Sequence, residues 1–178
     1  MTSSVRYRTI VADPPWPYEN ESWGVGAVGD EYHTMTFEDI CALPVTDWVE
    51  RDAHLYLWVT NAKLLDYDYA QLVKAWGFSY KTLLPWHKTA CLGIGHYYRG
   101  ETEHVLFCTR GRAPIEPARR ERNLFQAPRG RHSTKPDAFF DMVERVSPGP
   151  YLEMFSRRAR FGWQTWGNES LHGTEVKV

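Results

Sequence analysis

The residues with most chemical promise form one short block. Asp13-Pro14-Pro15-Trp16 directly follows the apolar run Thr9-Ile10-Val11-Ala12. Two consecutive prolines fix φ, and Pro15 drives Pro14 out of the α region, so the Pro14 carbonyl has a set direction beside the Asp13 carboxylate. A carboxylate and a carbonyl so placed can accept both N–H bonds of an exocyclic amine. Adenine N6 is such an amine, and a poor nucleophile, because its lone pair is delocalised into the ring. When it takes an electrophilic methyl group the nitrogen becomes tetrahedral and cationic, and preorganised acceptors stabilise that developing charge. Trp16 offers a π-face on which a base can stack, worth ~1–3 kcal/mol. Asp13, Pro14, Pro15 and Trp16 are therefore the catalytic candidates. The plainer reading is a strand ended by prolines with a packed Trp. An Asp-Pro-Pro-aromatic tetrad arises by chance in roughly one such chain in a thousand.

The surrounding pattern predicts what positions this block. Apolar runs read as strands over 8–12, 54–60, 80–87, 104–109, 151–156 and 161–166. Leu55-Tyr56-Leu57-Trp58-Val59 is apolar throughout, which suits a strand covered on both faces. Thr36 is placed to cap a short helix reaching about Leu43. Apolar residues follow the 3.6 period over 62–76 before Gly77, and again from Pro136 to Val146. Strands alternating with helices argue for an α/β fold with a largely parallel sheet, whose ligands sit at the carboxyl ends of the strands. Asp13 falls at such an end. Two stretches rich in glycine and aromatics, 17–30 and 87–100, read as loops over a site, or equally as ordinary connections.

Composition bounds the rest. The chain has 178 residues with 43% hydrophobic and 24% charged, which predicts one globular domain over 1–178, its core about 8–170 and a tail at 171–178. No apolar stretch is long enough to span a membrane, and the first residues lack the apolar segment of a signal peptide, so a cytoplasmic protein is expected. Seven histidines and three cysteines are scattered without ligand spacing, so no metal is expected. The net charge of −1 hides a gradient: residues 1–69 carry 12 acidic and 4 basic side chains, residues 110–135 carry 8 basic and 2 acidic ones. That asymmetry suits a local footprint for a polyanion, and the aromatic share of 15% suits a protein that stacks on bases.

Taken in order, further blocks carry a resemblance: Tyr32-His33-Thr34-Met35, Leu55 to Thr60, Trp86-His87-Lys88, Gly95-His96-Tyr97-Tyr98, Glu103-His104, Ser133-Thr134-Lys135-Pro136-Asp137, Glu153-Met154-Phe155-Ser156-Arg157, Gly162-Trp163 and Gly167-Asn168-Glu169. With the tetrad they resemble the MT-A70-like family of S-adenosylmethionine-dependent adenine N6-methyltransferases, in its short bacterial and phage form. The fold this implies is an α/β, Rossmann-like class I methyltransferase sheet with helices on both faces and a circularly permuted motif order. The cofactor implied is S-adenosylmethionine. Asp13 would face both the target amine and the methionine part of the cofactor, and Lys135 would pair with the cofactor's carboxylate. Phe155, Arg157, Asn168 and Glu169 complete the implied cofactor set, with Arg157 reaching the ribose. On the substrate side stand Trp16, Tyr18, Tyr32, Lys88, Arg129 and Arg131. No FxGxG or GxGxxG loop follows the strand ending at Phe155; Ser156-Arg157-Arg158-Ala159-Arg160 stands there instead.

The expected activity is methyl transfer to adenine N6 in nucleic acid, with DNA favoured because the chain is compact. RNA is the alternative substrate, and a silent nucleic-acid-binding subunit the alternative role. A small α/β enzyme acting on another nucleotide is a third reading, which the basic run disfavours. A homodimer or a partner subunit would add surface for gripping a polynucleotide.

Overall fold

The apolar run at 55–59 becomes the middle of a seven-stranded sheet. The computed structural model describes residues 5–16, 34–89, 97–130, 134–156 and 159–167. Within them β1 (Tyr7–Ala12), β2 (Val49–Val59), β3 (Ser79–Thr89), β4 (Thr102–Arg110), β5 (Phe125–Pro128), β6 (Tyr151–Met154) and β7 (Trp163–Trp166) pair in the order β5-β3-β4-β2-β1-β6-β7. Four ladders are parallel, while β4 runs antiparallel to both β2 and β3. The expectation of a largely parallel sheet is corrected at that one strand. Its reversal brings the start of β4 to the edge where the other strands end.

Alternation along β2 divides the core in two. Leu55, Leu57 and Val59 pack with Ile10, Leu152, Met154 and the helices α1 (Phe37–Cys41), α2 (Val45–Trp48) and α3 (Tyr69–Ala75). Tyr56 and Trp58 pack on the other face with Val105, Phe107 and the helix α4 (Asp137–Val146). Helices therefore cover both faces of a mixed α/β fold. No helix among the described residues is long and apolar enough to cross a membrane.

Local signals set most boundaries. The Thr36 hydroxyl accepts the Asp39 N–H at 3.1 Å and starts α1. The helix predicted over 62–76 is broken: Asn61–Lys63 is a 3₁₀ turn, and α3 begins afresh where the Asp68 carboxylate accepts the Gln71 N–H at 3.0 Å. A 3.6 period cannot register such an interior cap. Pro136 stands just before α4, which buries Phe139, Phe140, Met142, Val143 and Val146.

A buried polar chain fastens the far end of α4. His54 Nε2–H donates to the Ala113 carbonyl at 2.8 Å, so Nδ1 is left to accept the Ser147 hydroxyl at 2.7 Å. Ser147 Oγ in turn accepts the Tyr56 hydroxyl at 2.8 Å. Burial holds the His54 pKa below its ordinary 6.5, and Arg8 adds to that. The unfolded chain then binds more protons below that value, so this contribution to stability is complete above it and lost as pH falls. The drop in Tm between about pH 7.5 and about pH 5.5 should shrink in His54→Gln, which keeps a donor for Ala113 but cannot titrate. An unchanged drop in thermal melts would refute the assignment.

Candidate active site

Asp13 leaves the sheet at the end of β1, where Ala12 is in register with Leu57 of β2 and Met154 of β6. The two prolines then form a tight turn. The Trp16 N–H donates to the Pro14 carbonyl at 2.8 Å, and the Met35 N–H donates to the Pro15 carbonyl at 3.0 Å. Pro14 O is thus held in place by one hydrogen bond and keeps a second lone pair.

Trp16 departs from its expected place. It is only 2% exposed, stacked on Tyr67 at 5.5 Å and edge-on to Tyr69 at 5.4 Å. Its ring anchors the turn in the core and does not offer an open face to a base. The sequence could not distinguish these, because Tyr67 and Tyr69 reach it only through the break before α3.

Four charged side chains meet at this edge. Lys135, just before α4, lies 3.0 Å from Asp13 Oδ2 and 3.0 Å from Glu103 Oε2. Glu103, near the start of β4, uses Oε1 to hold Lys88 of β3 at 2.6 Å. The charges alternate along the row Asp13, Lys135, Glu103, Lys88. Aromatic rings line it: Lys135 Nζ sits 4.7 Å from the centre of the Trp58 ring and Lys88 Nζ 5.4 Å from that of Trp86. Burial alone would lower the Lys135 pKa, but Asp13 and Glu103 outweigh it and hold the ammonium above its ordinary value. Burial likewise would raise Glu103, and Lys135 with Lys88 pull it below the usual carboxylate range. Both groups are firmly ionised.

The end of β6 adds a strained residue. Phe155 has φ 63, the left-handed region that non-glycine residues rarely adopt. Its N–H donates to the Trp166 carbonyl at 2.6 Å, and the Gly167 backbone packs against it. A Cβ on Gly167 would come within 3.1 Å of Phe155 Cα, and Gly167 itself has φ +113. Gly167→Ala should therefore displace Phe155, lower Tm and weaken the Kd for S-adenosylmethionine in titration calorimetry. An unchanged Kd would detach Phe155 from cofactor binding.

Of the expected site residues, Asp13, Pro14, Lys135 and Lys88 are brought together, and Phe155 lies at the same edge. Arg129 is exposed just beyond β5 and makes no ion pair among the described residues. Tyr18, Tyr32, Arg131, Arg157, Asn168 and Glu169 lie outside the described residues, as does the loop at 17–30. Of the second stretch, 87–89 continue strand β3 and do not form a loop, and 97–100 are described, with Tyr97 96% and Tyr98 92% exposed. Glu103, quoted in the sequence only as part of a resemblance block and given no site role there, links the two lysines. No group of metal-ligating side chains occurs among the described residues.

The donor set suits an α-amino acid zwitterion. A carboxylate at the end of β1 beside an ammonium just before α4 matches the amino and carboxylate groups of a methionine moiety, and Phe155 supplies a ring nearby. This is a chemical fit with S-adenosylmethionine.

Comparison with known proteins agrees. A family model described as MT-A70 matches residues 7–169. The type II methyltransferase M.MunI of Mycoplasma sp is 32% identical over 184 residues, 92% of this chain and 78% of that protein. The N6-methyladenosine RNA methyltransferase MTA1 of Pyricularia oryzae is 29% identical, over 98% of this chain and 50% of its own. The N(6)-adenosine-methyltransferase catalytic subunit METTL3 of Homo sapiens is 26% identical, over 92% of this chain and 28% of its own. The chain thus spans most of the first relative and half or less of the other two.

Proposed function

The chain belongs to the MT-A70 family, and from that premise we propose that it acts as a single methyltransferase domain, with Asp13 and Pro14 holding the adenine N6 amine of a polynucleotide. It is an S-adenosylmethionine-dependent adenine N6-methyltransferase. The observation that carries the assignment of roles is the pairing of the Asp13 carboxylate with a Pro14 carbonyl fixed by the Trp16 N–H at 2.8 Å.

S-adenosylmethionine supplies the electrophilic methyl group when bound. Asp13 accepts one N6–H and Pro14 O, through its second lone pair, the other. As N6 takes the methyl group, the methyl's bond to the cofactor's sulfur would break and leave a neutral thioether; the positive charge that grows on nitrogen lies between two fixed acceptors, and the surplus proton leaves along the Asp13 hydrogen bond. Lys135 holds the Asp13 carboxylate at the edge through their 3.0 Å contact, and offers an N–H to the cofactor's carboxylate. Lys88 and Arg129 face the phosphates on the substrate side, and the exposed Tyr97 and Tyr98 supply rings for unstacked bases.

RNA is the better supported substrate. The relatives whose names specify a nucleic acid specify RNA, and several others are named for adenosine, a ribonucleoside. DNA, expected from the compact chain, keeps one observation in its favour. The relative spanned over 78% of its length is the type II methyltransferase, whose name carries no ribonucleoside. Methyl transfer from labelled S-adenosylmethionine to RNA, single-stranded DNA and duplex DNA, with products digested and scored for N6-methyladenine, decides between them. The RNA pool should be labelled. No product in any pool, with cofactor bound, would return the chain to the role of a silent subunit.

A further inference from the structure

The basic run singled out in the sequence is not spent at the active site. Its first half forms an open groove at the opposite end of the sheet, lined by Lys81, Phe107, Arg112, Ile115 and Arg120. Thr109 of β4 is in register with Ser79, the first residue of β3, and with His54 in the middle of β2. Glu103 and Thr109 are six positions apart on β4, which places the groove ~20 Å from the charged row at about 3.3 Å per residue.

Three features mark this as a surface for an anion. First, its cations are exposed and outside any salt bridge, although the Asp52 carboxylate lies near Arg112. Among the described residues Lys81, Arg112 and Arg120 are exposed and make no salt bridge, whereas neighbouring Arg119 pairs with Glu116 at 3.3 Å and Arg145 with Glu121 at 2.9 Å. Second, the wall is rigid. The Arg112 N–H donates to Asp52 Oδ1 at 2.7 Å, and the Ala113 carbonyl accepts the buried His54 Nε2–H at 2.8 Å. Gly111 has φ +61, and a Cβ there would meet the Arg51 carbonyl and Asp52. Third, the groove shares a face with the site. Side chains two apart on β4 point the same way, so Glu103, Val105, Phe107 and Thr109 lie on the α4 face. The segment from Gly111 to Pro128 crosses that face and ends beside Thr89 of β3, next to Lys88.

We propose that this groove docks the phosphodiester backbone of the substrate strand, several nucleotides from the adenine being methylated. The inference rests on the reading of the chain as a polynucleotide methyltransferase. The groove is distal to the reacting base, so it grips without reading sequence. A span of ~20 Å covers about six nucleotides of helical backbone at ~3.4 Å each. It gives this domain a second point of hold on a long substrate.

The test is a length series. The wild-type chain and the triple variant Lys81→Glu, Arg112→Glu, Arg120→Glu are assayed on adenine-containing oligonucleotides with three or twelve flanking nucleotides, as RNA and as DNA. Binding of the same labelled oligonucleotides is followed by fluorescence anisotropy, which needs no turnover. The three side chains are exposed and none of them makes a hydrogen bond of the wall, so the variant should melt as wild type. A Gln triple variant repeats the test without charge reversal.

Expected is at least a tenfold rise in KM and Kd for the long oligonucleotide only. The slope of log Kd against log salt should fall by roughly two, since each lost phosphate contact removes about 0.7–0.9. Equal effects on short and long oligonucleotides, or none, would overturn the proposal. So would a change in oligomeric state by light scattering with the length dependence intact, which would assign the groove to a second copy of the chain. Wild type that binds long strands in the expected way but methylates none would instead sink the reading of function, leaving the groove standing.

Discussion

Asp13→Ala is expected to fold as wild type and to lose methyl transfer by about 10²–10³-fold in kcat, the scale seen when one preorganised group facing a developing charge is removed. Two observations argue that the fold survives. The Asp13 carboxylate is 28% exposed with one ion pair, to Lys135, and Lys135 keeps Glu103 at 3.0 Å when that pair is lost. The turn itself is held by backbone bonds to Pro14 and Pro15 that no side chain at position 13 makes. The loss should fall on kcat more than on KM for the nucleic acid, because the acceptor matters most as the amine becomes cationic. Asp13→Asn separates charge from hydrogen bonding: it keeps an acceptor oxygen and the volume, and should retain more activity than Asp13→Ala. Near-normal turnover in either variant, with intact melting, would remove Asp13 from the chemistry.

How much of this was legible in the chain depends on what each feature requires. The Asp-Pro-Pro block was legible because proline restrains its own φ and its neighbour's whatever the rest of the fold does. The Thr36 cap and the α4 stripe were legible for a similar reason, being encoded within a few residues. Glu103 was not. It meets Lys135 only because β4 runs antiparallel, and no local pattern tells an apolar strand which way it points. Trp16 illustrates the same gap from the other side. Its type suits a base platform and a core anchor equally, and the choice is made by Tyr67 and Tyr69, some fifty residues on. The left-handed Phe155 was hidden because propensity predicts against it; only the packing of Gly167 and the hydrogen bond to Trp166 sustain it. β5, four residues long inside a basic segment, carries too few apolar positions to announce itself.

Lys135 carries the second large expectation, because it is the one cation between two carboxylates. Lys135→Met removes the charge from a side chain only 12% exposed and leaves Asp13 and Glu103 facing a shared gap. Breaking a buried pair by deleting one partner costs about 3–5 kcal/mol, since the charge left behind has lost its compensation. Lys88 still holds Glu103 at 2.6 Å, which moderates the loss. The variant should melt well below wild type and bind S-adenosylmethionine at least tenfold more weakly, measured by denaturant titration and calorimetry. Its pH response identifies the cause. In wild type Glu103 is held below the usual carboxylate range, so its contribution is present above its unfolded value of about 4.5 and lost as pH falls. Without Lys135 the effect of burial, which raises the Glu103 pKa, has only Lys88 to oppose it. Protonating Glu103 then relieves the repulsion, so the stability deficit should narrow on mild acidification. Lys135→Arg keeps a cation in place and should recover most of the stability. It should recover less of the cofactor affinity, because a planar guanidinium does not reproduce a compact ammonium over the Trp58 ring. A Lys135→Met deficit that stays constant with pH would show that packing over Trp58, and not the charge between Asp13 and Glu103, is what Lys135 contributes.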